Sequence, residues 1–164
     1  MMPPALGDFM MERVTEYPRP PLLVWCERAV EIVFAGEVVA RAPGAWAVKE
    51  TFHPPSYYIE PDAFLPGVLQ QGAGRGSICE FKGRARYWNV VAGGRVAANA
   101  GWSYPDPTPA FADIADCVAV YAGMMDRCTL AGEVVVPQPG GFYGGWITSE
   151  LIGPFKGAPG TEWW

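Results

Sequence analysis

Ile32-Val33-Phe34-Ala35-Gly36-Glu37-Val38-Val39 is the stretch that decides the fold. Apolar β-formers lie on both sides of an Ala-Gly-Glu centre, and glycine supplies the positive φ that short hairpins demand. The same chemistry returns in Asn89-Val90-Val91-Ala92-Gly93-Gly94-Arg95-Val96 and in Cys128-Thr129-Leu130-Ala131-Gly132-Glu133-Val134-Val135. Three hairpins spread over the chain mean antiparallel sheet rather than parallel βαβ units. Each match is only about eight residues, so it is shared turn chemistry and not a repeat architecture. Further strands are expected at 45–51, 56–59, 77–80 and 117–122, which are rich in Val, Ile, Tyr and Trp. Helix is scarce. Short turns of it are expected at 61–64, 110–116 and 145–151, each hemmed in by Pro or Gly. The segment 70–76 is glycine-rich and expected to be a surface loop.

The fold class is therefore mainly β, a single domain of antiparallel hairpins with little helix. A length of 164 residues also points to one domain. Twenty Gly and 17 Pro approach a disordered composition, but 7 Trp, 7 Tyr and 8 Phe require a core. The expected organisation is a Pro-rich arm at 1–21, one β domain at 22–157, and a tail at 158–164. Residues 1–21 lack a cationic start ahead of an apolar run, so no signal peptide is expected. No window approaches the apolar length of a membrane span. The net charge of −5 argues against a nucleic-acid footprint. Cys26, Cys79, Cys117 and Cys128 form no CxxC pair and His53 is the only histidine, so no metal or other cofactor is expected. The cysteines read as reduced, mostly buried thiols in a cytoplasmic protein.

Three segments concentrate polar groups among aromatics. In Lys49-Glu50-Thr51-Phe52-His53-Pro54-Pro55-Ser56-Tyr57-Tyr58 a rigid di-proline follows the only histidine. His53 is a candidate base near neutral pH, and the plainer reading is a loop histidine. Glu50 is a candidate pocket carboxylate, or a solvated surface acid. In Cys79-Glu80-Phe81-Lys82-Gly83-Arg84-Ala85-Arg86-Tyr87-Trp88, strand alternation puts Lys82, Arg84, Arg86 and Trp88 on one face. That face is either an anion-binding stripe with an aromatic end or a solvated outer surface. In Asn99-Ala100-Gly101-Trp102-Ser103-Tyr104-Pro105-Asp106-Pro107, Trp102 and Tyr104 share one side, as a pocket wall or as core. Phosphate-loop, dinucleotide and nucleophile-elbow motifs are missing.

On these same stretches the sequence resembles the bacterial family catalogued as domain of unknown function 427, which carries a nucleotidyltransferase-like label. The resemblance runs from about residue 22 to 157, and Pro139-Gly140-Gly141-Phe142-Tyr143-Gly144-Gly145-Trp146 looks like one subgroup. It implies a β-tent-like fold, two antiparallel sheets meeting at an angle. Proteins of that architecture usually carry paired CxxC zinc knuckles, which are missing here, as is the paired-acid pattern of nucleotidyl transfer. The family's motif positions match Glu50, Pro55, Tyr57, Tyr58, Lys82, Tyr87, Trp102 and Tyr104.

These residues lead to a small-molecule-binding β module. Its pocket is expected to be walled by Tyr57, Trp88, Trp102 and Tyr104, with Glu50, His53 and Lys82 as polar handles. In particular, Tyr57, Lys82 and Trp102 are expected around one cavity. One alternative is an enzyme with Glu50 or His53 as base and Lys82 holding an anion. Another is an interaction module docking through Trp146, Trp163 and Trp164.

Overall fold

A computed structural model describes residues 11–73, 78–79 and 82–164. All three expected hairpins form. Val30–Phe34 pairs with Glu37–Ala42, Arg86–Ala92 with Arg95–Ser103, and Arg127–Leu130 with Glu133–Val134. Both central residues of each turn are left-handed: Ala35 and Gly36, Gly93 and Gly94, Ala131 and Gly132. This is the turn whose own twist matches that of the strands it joins. Glycine takes it freely, whereas Ala35 and Ala131 hold it at φ 55° and 51° against their own Cβ.

The first and third hairpins merge into one four-stranded antiparallel sheet through pairing of Val30–Phe34 with Arg127–Leu130. The second is the centre of another four-stranded sheet, flanked by Leu69–Gln71 and Ala119–Val120. Leu22–Cys26, Ala45–Lys49 and Ser56–Tyr58 form a three-stranded sheet, and no barrel closes. The strands expected at 45–51, 56–59 and 117–122 are present in shortened form. That expected at 77–80 has only Ile78–Cys79 among the described residues. Of the loop expected at 70–76, Gln70 and Gln71 belong instead to the strand Leu69–Gln71, which pairs with Trp88–Val90, and residues 74–76 lie outside the described set.

Among the described residues helix is confined to 3-10 turns, which include Pro61–Ala63 and Pro109–Ile114. The helical turn expected at 145–151 does not form. Trp146–Ile147 is a strand paired with Val136–Pro137, and Leu151–Ile152 pairs in parallel with Glu12–Arg13. Tertiary context overrides the local reading, because Trp146 is fully buried and donates its indole N–H to Val120 O at 3.1 Å. Of the arm at 1–21, the first ten residues lie outside the described set. The rest is laid onto the domain: Val14 is fully buried, and Thr51 donates to Tyr17 O at 2.5 Å. The tail folds back as well, with Trp164 packed 4.9 Å from Phe52.

Two apolar clusters form the core. The larger joins the two four-stranded sheets around Ile32, Val39, Val90, Val120, Leu130 and Trp146. The smaller includes Val48, Tyr58, Trp102, Tyr104, Phe111 and Ile114. All four cysteines are unpaired, and burial pushes the Cys117 and Cys128 thiols up to about 12. Among the described residues no helix is long and apolar enough to cross a membrane.

Candidate functional site

Beside the smaller cluster the chain encloses a cavity of about 340 Å³. Its aromatic walls come from Tyr58, Tyr87, Trp102, Tyr104, Tyr121, Phe142 and Tyr143, and its polar rim from Glu50, His53, Lys82, Gln138 and Lys156. Strand register explains the wall. Tyr87 lies directly opposite Trp102 across the second hairpin, so the two share one face. Trp102 packs 4.7 Å from Tyr121 and edge-on to Tyr58 at 6.3 Å. Gly144 lies against the Trp102 side chain, where a Cβ would run into the outer edge of the indole. The glycine-rich segment thereby adds Phe142, Tyr143 and Gly144 to the cavity wall.

Gln138 organises one end. It is 4 % exposed and all its amide positions are used. The side-chain oxygen accepts from Gly145 N at 3.0 Å, and the nitrogen donates to Lys156 O at 2.8 Å. A backbone donor on one side and a backbone acceptor on the other fix the amide's orientation. The remaining N–H therefore points at His53 Nδ1, 3.0 Å away. Nδ1 is thus the acceptor, and the proton of the neutral imidazole sits on Nε2. Burial, with Lys156, Arg19 and Lys82 acting in the same direction and Glu50 against them, pushes His53 down to about 4. His53 is a neutral N–H donor at physiological pH. Glu50 is held by Arg19 at 3.2 Å.

Trp102 donates its indole N–H to the Tyr58 hydroxyl at 3.1 Å, and Tyr58 donates onward to Tyr104. This chain leaves the Tyr104 O–H as a donor. Burial raises both phenols well above their ordinary value, so both stay protonated. Lys82 Nζ stands 5.7 Å from the Tyr104 ring centroid. The lysine is 9 % exposed, and none of the ion pairs among the described residues includes it. Lys156 Nζ lies over the Tyr143 ring at 5.5 Å and donates to Trp164 O.

Of the seven residues expected at a pocket, Glu50, His53, Lys82, Trp102 and Tyr104 meet at this cavity. Tyr57 and Trp88 do not. Tyr57 points into the larger core against Trp146, because alternation along Ser56–Tyr58 sends Ser56 and Tyr58 to the cavity and Tyr57 away from it. Trp88 is out of phase with Tyr87 for the same reason, and donates to Ser103 Oγ at 2.9 Å. Nor do Lys82, Arg84 and Arg86 make one stripe. Lys82 sits in a turn before Gly83, whose φ is 98°, so strand alternation does not extend to it. It joins Ala85 and Tyr87 at the cavity while Arg84 and Arg86 are exposed. Of the three tryptophans expected to dock a partner, Trp146 is core, Trp164 packs on Phe52, and Trp163 projects outward.

Gln138, Tyr143 and Lys156 escaped the sequence reading, since only chain closure brings the tail across the cavity. Tyr58 was within reach by counting alternate residues from Ser56.

The fold and site define a mainly-β domain with an aromatic cavity rimmed by hydrogen-bond donors. A family model described as Domain of unknown function (DUF427) matches residues 23–131, about two thirds of the chain, and the chain belongs to that family. The nucleotidyltransferase-like label comes from the name of that family model. No curated protein matches the chain. The matched region holds Glu50, His53, Lys82, Trp102 and Tyr104, whereas Gln138, Phe142, Tyr143 and Lys156 lie beyond it.

Proposed function

We propose that the protein is a small-molecule-binding module whose ligand occupies the 340 Å³ cavity. The observation that carries this reading is the lining itself: aromatic side chains from five different segments line a space that no side chain of the described residues fills. A few convergent polar groups in an apolar concavity are what orient a bound organic molecule. The base role considered for His53 draws no support from its surroundings. Its acceptor nitrogen is taken by Gln138, and the nitrogen left over already carries a proton.

A thermal-shift screen of nucleotides, sugar phosphates and cyclic imides tests the reading. A ligand present at 100 times its dissociation constant adds about 2.7 kcal/mol to the unfolding free energy. The shift is expected to vanish in Ser56→Phe, which places a ring in the cavity from the strand Ser56–Tyr58. No shift with any class, or one that survives Ser56→Phe unchanged, overturns the proposal.

A further inference from the structure

We infer that the ligand of this cavity is a planar aromatic or heteroaromatic molecule bearing an oxyanion, a carboxylate, sulfonate or phosphate, with Lys82 as its charge partner. The inference rests on the binding reading above and deepens it to a chemical class.

Lys82 carries the argument. A lysine more than nine-tenths buried ordinarily meets a carboxylate, because removing an ammonium from water without a partner is costly. None of the ion pairs among the described residues supplies one. The contact it does make is the Tyr104 ring, and its ammonium borders the cavity. Glu50, the one carboxylate among the described lining residues, is engaged by Arg19. A buried cation that no described carboxylate pairs with is a site for a negative group.

The neutral groups around it agree in sign. His53 presents Nε2–H because Gln138 occupies Nδ1, and Tyr104 presents O–H because Tyr58 donates to its oxygen. Both are donors where an oxyanion accepts. The rest of the molecule meets the aromatic side chains of Trp102, Tyr121 and Tyr143 in the lining, which suit a ring better than a branched aliphatic chain.

The test uses two isosteric pairs that differ in charge: benzoate against benzamide, and benzenesulfonate against benzenesulfonamide. Each is titrated into the full chain by NMR, with the Trp102 indole N–H as reporter. The expected result is at least about tenfold tighter binding of each anion than of its neutral partner, a difference of about 1.4 kcal/mol. In Lys82→Met that preference is lost while the neutral compounds bind as before, which also shows that the variant is folded. Equal binding within both pairs overturns the oxyanion and leaves the cavity reading standing. An anion preference that persists in Lys82→Met overturns the role of Lys82. No perturbation at Trp102 by any of the four sinks both readings.

Discussion

The only histidine of the chain makes one consequence of the site unusually measurable. His53 is pushed down to about 4, first by burial and then by Lys156, Arg19 and Lys82, with Glu50 opposing them. An imidazole in an unfolded chain titrates near 6.5. Between these values the unfolded state binds the extra proton, so the folded state loses stability as the pH falls through 6.5 toward 4 and regains it fully above 6.5. At pH 5 the unfolded imidazole is almost wholly protonated and the folded one about one-tenth so. Integrating from pH 7 gives a loss of about 2 kcal/mol at pH 5 and about 3 kcal/mol by pH 4. Carboxylates do not obscure this window. Burial favours the neutral form of Glu12 and Glu150, but hydrogen bonds from Tyr17 and Lys49 to the first, and from Arg28 and Thr148 to the second, outweigh it and lower both. Their stabilising contributions are lost only below about pH 4.5. The assay is urea unfolding at pH 7 and pH 5 for the native chain and His53→Gln, alongside an NMR titration of the single imidazole Cε1–H. The native chain is expected to lose about 2 kcal/mol more than the variant. An imidazole titrating between 6 and 7, or equal losses in the two proteins, would falsify the account of a buried neutral histidine.

Three further outcomes follow from single contacts. Ala131→Gly relieves a left-handed alanine in the third hairpin turn and is expected to raise the unfolding free energy by about 0.5–1 kcal/mol in urea titrations. Gln138→Leu strands the Gly145 N–H and the Lys156 carbonyl in a buried place. It is expected to cost about 2–3 kcal/mol and to raise the His53 titration point as the tail loosens. Gly144→Ala sets a methyl against the Trp102 indole, so a loss of about 1–3 kcal/mol and a displaced Trp102 N–H resonance are expected. An unmoved resonance there means that the glycine segment does not rest on Trp102.

The hairpins were legible because their information is local. Two flanking β-runs and an Ala-Gly or Gly-Gly centre specify a turn within eight residues, and all three turns adopt it. The site was legible by neighbourhood but not by phase. Tyr57 and Tyr58 are adjacent and equally aromatic, and only the register of Ser56–Tyr58 against Ala45–Lys49 decides which faces the cavity. Trp88 and Tyr87 differ in the same way, and here too the cavity takes the tyrosine. Lys82 reached the cavity by a different route from the one alternation suggested, since its turn frees it from the strand. Gln138, Tyr143 and Lys156 were illegible in principle. Their role comes from contacts with residues some 80 or more positions away, such as the 3.0 Å bond between Gln138 and His53, which no window of sequence contains.

A net charge of −5 and a cavity rimmed by donors are compatible once distance is counted. Exposed acids such as Glu37, Asp62, Asp113 and Asp116 act through water and salt, which damp their field within about 8–10 Å. Lys82 and Lys156 line the cavity, so on the proposed reading they act on an occupant at contact, in a partly desolvated space where one charge weighs far more. The two ranges sort ligands by size. A polyanion must lie across the outer surface and meets net repulsion over its whole length, whereas a molecule that fits within 340 Å³ leaves that field behind when it enters. On the proposed reading, the acidity that weighs against a polyanion bears little on a small oxyanion inside the cavity, where Lys82 sets its affinity.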